Sequence, residues 1–187
     1  MDAFSYLSVL LSIILGLGLT QLLTATGRLI RHRERVRVHW LPLLWAAILL
    51  LIYVQVWWSM YGLRFRRDWT FLAFGVVLAQ TATLYLMAAV VLPEQVEDGE
   101  LDLGTYFDQQ HRWFFGFFLA TLIVSVLKDV ILGGRLPDPV NLGFHVALGL
   151  GCTAGLFLRR RRDQGVLAVA CGVAILIYIG LLFAHLR

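Results

Sequence analysis

Charged residues are scarce in this sequence, and cysteine is nearly absent. Only 15% of the 187 residues are charged, whereas 59% are hydrophobic and the mean hydropathy is +0.77. A soluble domain carries about 25% charged residues and about 45–50% apolar ones. A soluble chain of this length could not bury so much apolar surface, which excludes a soluble globular enzyme, a disordered chain and a secreted disulfide scaffold. The two cysteines, Cys152 and Cys171, lie inside apolar stretches and indicate no disulfide framework.

Long uncharged stretches predict the fold. A transmembrane helix needs about 20 residues of low polarity to cross about 30 Å of hydrocarbon. Five stretches without Asp, Glu, Lys or Arg are long enough, and another, Trp113 to Leu127, becomes long enough only by including Lys128 and Asp129. The predicted spans are about 3–26, 39–62, 70–92, 112–132, 140–158 and 165–186. We therefore predict a single all-α transmembrane domain, 1–187, built as a bundle of six helices.

Arginine placement predicts the orientation of the bundle. With the N-terminus outside, ten arginines lie on the cytoplasmic side and five on the outer side. Cytoplasmic loops carry an excess of basic residues, so we expect an N-out and C-out protein of a bacterial inner (plasma) membrane. The first stretch lacks a basic leading segment and is too long for a cleaved signal peptide, so we expect it to remain as a span. Arginines beside apolar helices indicate lipid headgroups rather than nucleic acid as their neighbours.

The connection between the third and fourth spans is acidic. Residues 94–111 contain six carboxylates and neither Lys nor Arg. The pattern from Thr105 to Asp108 is typical of a helix start and Gly133-Gly134 of a helix end, so the fourth helix is predicted from about Tyr106 to Leu132. On the predicted topology this segment is a cytoplasmic loop. It is either a solvated loop that pairs loosely with nearby arginines or a docking segment for a protein partner.

Small residues recur at every fourth position on two spans, a pattern typical of close helix packing in lipid. On the first span they include Ser12, Gly16 and Thr20, and on the fifth span they are Gly143, Ala147, Gly151 and Gly155. We predict close packing along both rows. The row on the fifth span could pack within one chain or form the seam of a homo-oligomer, and we expect the protein to be a homo-oligomer.

Lys128 and Asp129 are the most informative residues. A charge inside the hydrocarbon costs at least about 2.5–3.5 kcal/mol and usually faces the bundle interior or water. Thr121, Ser125 and Asp129 follow one another at every fourth position, and Lys128 lies three positions after Ser125, so all four share one helix face. This stripe predicts a polar pocket beside the fourth span. In the alternative, Lys128 extends to the outer interface and Asp129 lies near that interface, close to Arg135 or Asp138.

Polar residues on other spans lie at the same predicted depth, toward the outer side. They are Ser5 and Ser8 on the first span, Gln55 and Ser59 on the second, His145 on the fifth and Tyr178 on the sixth. A hydrogen bond between His145 and Tyr178 is expected, because neither has water in the bilayer. A second polar set lies nearer the middle and consists of Gln80, Thr83, Thr20 and Gln21. This set either extends the pocket into a pathway or joins helices by hydrogen bonds.

Other chemistries find little support. A bis-histidine haem would need His145 and His185 at one depth, but His185 is predicted nearer the surface. Ser125 followed by His185 has the residue order of a rhomboid protease without the glycines that flank its serine. Clustered zinc ligands, a phosphate-binding loop and a voltage-sensing arginine array do not occur in the sequence. We therefore expect neither metal nor cofactor.

Three classes of function follow from these patterns. The first is a small channel or carrier for an ion, a proton or a small polar solute, with Asp129 as its charged site. The second is a membrane assembly, sensor or regulatory subunit that acts through residues 94–111 and the arginine-rich loops. The third, which is less favoured, is a membrane protein with redox chemistry linked to haem or quinone. For the chain as a whole, a protein without enzymatic activity is favoured over an enzyme.

Overall fold

The computed structural model describes residues 3–66, 68–95 and 100–182. Within these residues, six helices are long and apolar enough to cross a membrane, which confirms the predicted all-α bundle and an integral, multi-pass membrane protein. The helices are α1 (Ala3–Arg31), α2 (Trp40–Met60), α3 (Phe71–Val91), α4 (Leu103–Gly133), α5 (Pro139–Phe157) and α6 (Arg161–Leu182). A 3₁₀ helix, Tyr61–Phe65, follows α2, and two short strands, β1 (Val36–Arg37) and β2 (Leu101–Asp102), pair in parallel.

The helices alternate in direction between two ends of the bundle. At one end, which we call the Arg66 end, an Arg66 guanidinium nitrogen donates to the Leu132 carbonyl oxygen. There the Phe4 ring also stacks on the Trp69 ring with centroids 6.1 Å apart. At the opposite end, the Arg161 end, Arg161 pairs with Asp108. In the interior, α2 contacts α1, α3, α4 and α6, while α4 packs along both α3 and α5.

The cap of α4 differs from the sequence prediction. The helix begins at Leu103 because the Asp102 carboxylate accepts the Thr105 backbone N–H at 2.9 Å. The prediction of Thr105 as the cap, with a start near Tyr106, is therefore wrong, and residues 103–111 of the predicted acidic loop belong to α4. The predicted helix end is confirmed, since α4 ends at Gly133 and is followed by a left-handed glycine with φ of +66°.

The packed face of α1 is not the predicted row of small residues. Its buried residues alternate at intervals of four and three, as in a coiled-coil seam: Leu11, Leu15, Gly18, Leu22, Ala25 and Leu29. A Cβ at Gly18 would overlap the Tyr53 hydroxyl of α2, so this glycine makes the close approach. By contrast, Gly16 and Thr20 are exposed, nothing among the described residues lies near a Cβ at Gly16, and the Ser12 hydroxyl donates to the carbonyl of Ser8 within α1.

The row on α5 is divided between two environments. A Cβ at Gly155 would lie 2.7 Å from the Phe115 ring of α4, and one at Gly151 would lie 3.2 Å from Leu167 of α6. These two glycines therefore permit close packing inside one chain. Gly143 and Ala147 are exposed, and they leave the other half of the row on the outside of the bundle.

Aromatic rings fill the bundle between its middle and the Arg161 end. Trp45 of α2 lies 5.0 Å from Phe114, 5.5 Å from Phe115 and 6.0 Å from Phe118, measured between ring centroids. Phe107 extends the group by contacting Phe114. None of these five side chains exceeds 2% exposure. We call this group the aromatic layer.

The acidic connection is attached to the basic loop between α1 and α2. Val36 pairs with Leu101 in the two-stranded sheet, and the Leu101 N–H donates to the Arg35 carbonyl at 2.9 Å. These strands do not follow from the sequence, because two-residue strands carry no periodicity. Residues 96–99 of the predicted loop and 183–186 of the last predicted span lie outside the described residues.

Candidate functional site

A cavity of about 310 Å³ lies between α2, α3, α4, α5 and α6. Its lining includes all eight residues that the sequence predicted for a pathway: Gln55, Gln80, Thr121, Ser125, Lys128, Asp129, His145 and Tyr178. Apolar side chains complete the wall, among them Val77, Leu122 and Ile175. The structure thus brings together polar groups from five helices that are far apart in the sequence.

None of the α1 residues whose side chains the structure describes lines this cavity. Ser5, Ser8, Thr20 and Gln21 of α1 were expected to share the polar level, but none of them lines the cavity. The reason is the leucine-rich seam of α1, which turns its packed face toward α3 and α2. Ser59 of α2, which was expected at the same level, does line the cavity.

Lys128 and Asp129 are half-buried and both contribute to the cavity wall. Within the described residues, neither forms an ion pair, either with the other or with Arg135. Charges at this depth are costly unless they face water or a partner. The geometry therefore leaves one carboxylate and one ammonium group available to a species inside the cavity.

Ser125 and His145 connect α4 to α5. The His145 Nε2 atom lies 3.1 Å from the Ser125 hydroxyl, and its Nδ1 atom lies 2.9 Å from the Asn141 carbonyl oxygen. The carbonyl accepts only, so Nδ1 carries a proton and donates it. In the neutral ring Nε2 then accepts from Ser125, whereas a protonated ring would donate to it. The contact therefore joins the two helices whether the ring accepts from the hydroxyl or donates to it.

The predicted contact between His145 and Tyr178 takes another form. Their rings meet edge to face with centroids 6.2 Å apart, and the Tyr178 hydroxyl donates to the Asn141 side-chain oxygen at 3.1 Å. Asn141 thus bridges α5 and α6, a role that sequence reasoning missed. The available signal was that Asn141 is the only asparagine of the chain and lies one helical turn before His145.

The deeper polar residues join helices as well as line the cavity. The hydroxyls of Thr121 and Thr83 lie 3.0 Å apart and connect α4 to α3. Gln80 is 6% exposed and lies one turn from Thr83 on the cavity side. Of the set that the sequence analysis named, Gln80 thus lines the cavity and Thr83 joins two helices.

The cavity ends at the aromatic layer. Its lining on α4 extends from Asp129 down to Phe118, which packs against Trp45. Eleven residues of helix rise correspond to about 16 Å, or roughly half of a hydrocarbon core about 30 Å thick. The cavity is thus a half-depth pocket on the side of the Arg66 end, with an aromatic floor.

Among the described residues, no group of three or more His, Cys, Asp and Glu side chains is close enough to hold a metal ion. His185, the second ligand in the haem hypothesis, lies outside the described residues. Cys152 and Cys171 are buried free thiols in the helix hairpin formed by α5 and α6.

At the Arg161 end, carboxylates of the acidic segment are held by the protein itself. Arg161 pairs with Asp108 at 2.7 Å and donates to the Thr105 hydroxyl at 3.3 Å. The Thr105 backbone N–H is the main cause that lowers the pKa of Asp102, and Arg161 and Arg37 lower it further. This part of the segment resembles the paired, solvated loop of the sequence analysis more than a free docking strand.

Comparison with protein-family models, with curated proteins and with solved structures finds no match to this chain. The fold and the cavity are therefore the basis on which a function is proposed.

Proposed function

We propose that the chain is a small channel or carrier for an ion, a proton or a small polar solute, with Asp129 as the charged site. The observation that carries this proposal is the cavity itself. Polar residues of five membrane-spanning helices line one space, and the carboxylate and ammonium groups in it have no ion-pair partner among the described residues. Such residues in a membrane span are a functional hypothesis by default, because stability alone disfavours them.

The chemistry of the lining suits a cation or a proton. Asp129 attracts positive charge, and Lys128 lies on the same wall of the pocket. Ser125 and His145 add a hydrogen-bonded pair, with 3.1 Å between the hydroxyl oxygen and Nε2. Gln55 offers a neutral ligand at the level of Asp129, and Gln80 and Thr121 offer neutral ligands deeper in the pocket. Together they replace part of the hydration shell that a polar solute loses in the bilayer.

The aromatic floor favours a carrier or a gated channel over an open pore. A solute that reaches Phe118 meets Trp45 and its neighbours, and passage requires these rings to move. On the proposed N-out and C-out topology the pocket faces the outside of a bacterial inner membrane. We propose that copies of the chain contact one another in a homo-oligomer through two exposed faces of small residues. These faces contain Gly16 and Thr20 on α1, and Gly143 and Ala147 on α5.

Flux through proteoliposomes tests the proposal. The wild type and Asp129→Asn are reconstituted, and the flux of protons and of several ions is measured under an imposed membrane potential. We expect flux in the wild type and a loss of tenfold or more, roughly 1.4 kcal/mol or more in barrier height, in Asp129→Asn. Asp68→Asn, which neutralises an exposed carboxylate at the same end of the bundle, is the matched control and should retain flux.

Two results would count against the proposal. One is equal flux in the wild type and Asp129→Asn, which would show that Asp129 is not the charged site. The other is no flux from folded, correctly inserted protein for any ion, which would favour the assembly or regulatory class. For that class the supporting observation is that the acidic segment is fixed on the arginine loop by β1 and β2, so it presents a defined surface. Charge reversal at Glu94 and Glu100 should then remove a protein from a pull-down.

A further inference from the structure

A second cavity, of about 420 Å³, lies at the Arg161 end. It is separate from the cavity that Asp129 lines, and it lies between the first turns of α4 and the connection from α5 to α6. Its lining consists of Asp108, Gln109, His111, Arg112, Arg159 and Gln164. The proposed function uses none of these residues.

Two side chains in this lining are buried and incompletely hydrogen-bonded. His111 is 8% exposed, and its Nδ1 atom donates to the Asp108 carbonyl at 2.7 Å, which leaves Nε2 without a partner among the described residues. Gln164 is 1% exposed, and its Nε2 atom donates to the Leu158 carbonyl at 2.9 Å, which leaves Oε1 likewise without a partner. A buried acceptor without a donor is costly, so such atoms call for an explanation. Neutral His111 and Gln164 together present two acceptors that lack a hydrogen-bond donor.

Two cations line the same cavity without a carboxylate of their own. Asp108 is occupied by Arg161, and neither Arg112 nor Arg159 forms an ion pair within the described residues. Guanidinium groups bind phosphate through paired, charge-assisted hydrogen bonds. The cavity therefore contains two guanidinium groups that can bind an anion and two acceptor atoms that can bind hydroxyl groups.

The depth of the cavity corresponds to the lipid headgroups. The 31 residues of α4 extend about 46 Å, roughly 16 Å more than the hydrocarbon core. The excess corresponds to the first turns of the helix, up to about Arg112. Trp113, which follows and is 63% exposed, is typical of the boundary between headgroups and acyl chains.

From these observations we propose that the cavity binds the headgroup of an anionic phospholipid that carries free hydroxyls, such as phosphatidylglycerol. Arg112 and Arg159 would bind the phosphodiester, and hydroxyls of the headgroup would donate to Gln164 Oε1 and His111 Nε2. This proposal does not depend on the transport hypothesis, because it concerns different residues at the opposite end of the bundle.

Lipid binding to the purified full-length protein in neutral detergent tests the site. Native mass spectrometry counts bound lipid when equal amounts of two lipids with the same acyl chains are offered. The first pair is phosphatidylglycerol against phosphatidylcholine, which tests for the anion. The second is phosphatidylglycerol against phosphatidylmethanol, which has the same phosphodiester without hydroxyls. We expect a preference for phosphatidylglycerol in both pairs, about three- to tenfold in the second, as one or two neutral hydrogen bonds provide.

Variants assign the preference to the cavity. Arg112→Gln with Arg159→Gln should reduce bound phosphatidylglycerol by roughly tenfold or more, because charge-assisted hydrogen bonds to phosphate are lost. Arg31→Gln with Arg33→Gln removes the same charge from exposed positions at the same end and should change binding little. Gln164→Met keeps the length of the side chain but removes one of the two acceptors, so the preference for phosphatidylglycerol over phosphatidylmethanol should shrink to the part that His111 Nε2 provides.

Several outcomes would overturn the proposal. Equal binding of phosphatidylglycerol and phosphatidylcholine to the wild type would do so without any variant. Equal loss in the two double-arginine variants would mean that charge alone, rather than this cavity, attracts the lipid. Displacement of the lipid by millimolar inorganic phosphate would identify a free anion as the ligand. If a variant fails to fold, the two lipid comparisons on the wild type still decide the matter.

Discussion

The two halves of the bundle are filled in different ways. On the side of the Arg66 end, five helices surround a pocket of about 310 Å³ with polar groups from each of them. On the side of the Arg161 end, Trp45 and four phenylalanines fill the same cross-section with rings that are at most 2% exposed. Both halves lie within one set of continuous helices, so the difference comes from side chains rather than from the backbone.

The comparison shows where stability and function separate in this fold. Helix association in lipid depends on close packing and on interhelical hydrogen bonds, since the lipid tails are as apolar as leucine. The aromatic half provides that packing. The polar half leaves space open and keeps charges without partners, which reduces stability and is typical of a site that binds something. Mutations in the aromatic half should therefore mainly lower stability, whereas mutations in the polar half should mainly lower flux.

The largest effect on stability is expected at the centre of the aromatic layer. Trp45→Ala removes a fully buried ring from contact with three phenylalanines and should lower the free energy of unfolding by about 3–5 kcal/mol. Unfolding by denaturing detergent in mixed micelles measures the change. Trp57→Ala, at a position that is 55% exposed on the same helix, is the control and should change the midpoint little. Similar losses in both variants would break the distinction between the halves.

The next effect concerns the glycines of α5. Gly155→Ala places a Cβ 2.7 Å from the Phe115 ring and should destabilise the aromatic half by about 1–3 kcal/mol. Gly143→Ala meets nothing within 4 Å among the described residues, and better helix propensity should leave stability equal or slightly higher. The same unfolding assay compares them. A Gly143→Ala protein that loses its oligomeric state would reveal that this face is the seam between copies.

A smaller effect on stability is expected in the polar half. Removing the contact between Ser125 and His145 should change the free energy of unfolding by about 0.6 kcal/mol, the average for interhelical hydrogen bonds in a membrane. A double-mutant cycle with Ser125→Ala and His145→Phe isolates the interaction. We expect proton flux to fall clearly even though the free energy of unfolding changes by only this small amount. A coupling energy as large as the effect of Trp45→Ala, with unchanged flux, would make this pair structural.

The smallest effect concerns pH at the Arg161 end. The Thr105 N–H, followed by weaker contributions including Arg161, holds the pKa of Asp102 below its ordinary value of 3.8. Because the folded pKa is depressed, this contribution to stability is present above that ordinary value and is lost as pH falls through the folded pKa. The protection of the amides in the first turn of α4, which is the intrinsic exchange rate at each pH divided by the observed rate, should therefore fall as the solution is acidified from about pH 5 to about pH 2. Asp102→Asn should abolish the pH dependence of this protection, and a fall in protection that persists in this variant would assign it to another group.

Much of the pocket was predictable because membrane helices obey simple geometry. Thr121, Ser125 and Asp129 are spaced four residues apart, which places them on one helix face. That face lines the pocket. Depth, counted in residues from the helix ends, correctly grouped Gln55, His145 and Tyr178 with them. Depth does not specify rotation about the helix axis. For that reason the partner of His145 was predicted as Tyr178, whereas the structure pairs it with Ser125.

The first helix shows the limit of sequence patterns most clearly. It carries a row of small residues and a seam of leucines on the same 29 residues, and either could be the packed face. The structure selects the leucine seam and places Gly18 against Tyr53. Hydropathy cannot decide between the two faces, because a leucine side chain is about equally stable against lipid and against a neighbouring helix. Only a close fit between the two helix surfaces favours the helix contact.

By itself, the sequence determined the number of spans, their all-helical nature and the faces on which charges and hydroxyls lie. These properties follow from the length of each apolar stretch and the fixed periodicity of a helix, both local quantities. The tertiary structure decided which faces meet, where space stays open, and that Trp45 closes the pocket below Phe118. Those outcomes depend on the mutual fit of side chains from helices far apart in the chain, and a periodic pattern contains no record of that fit.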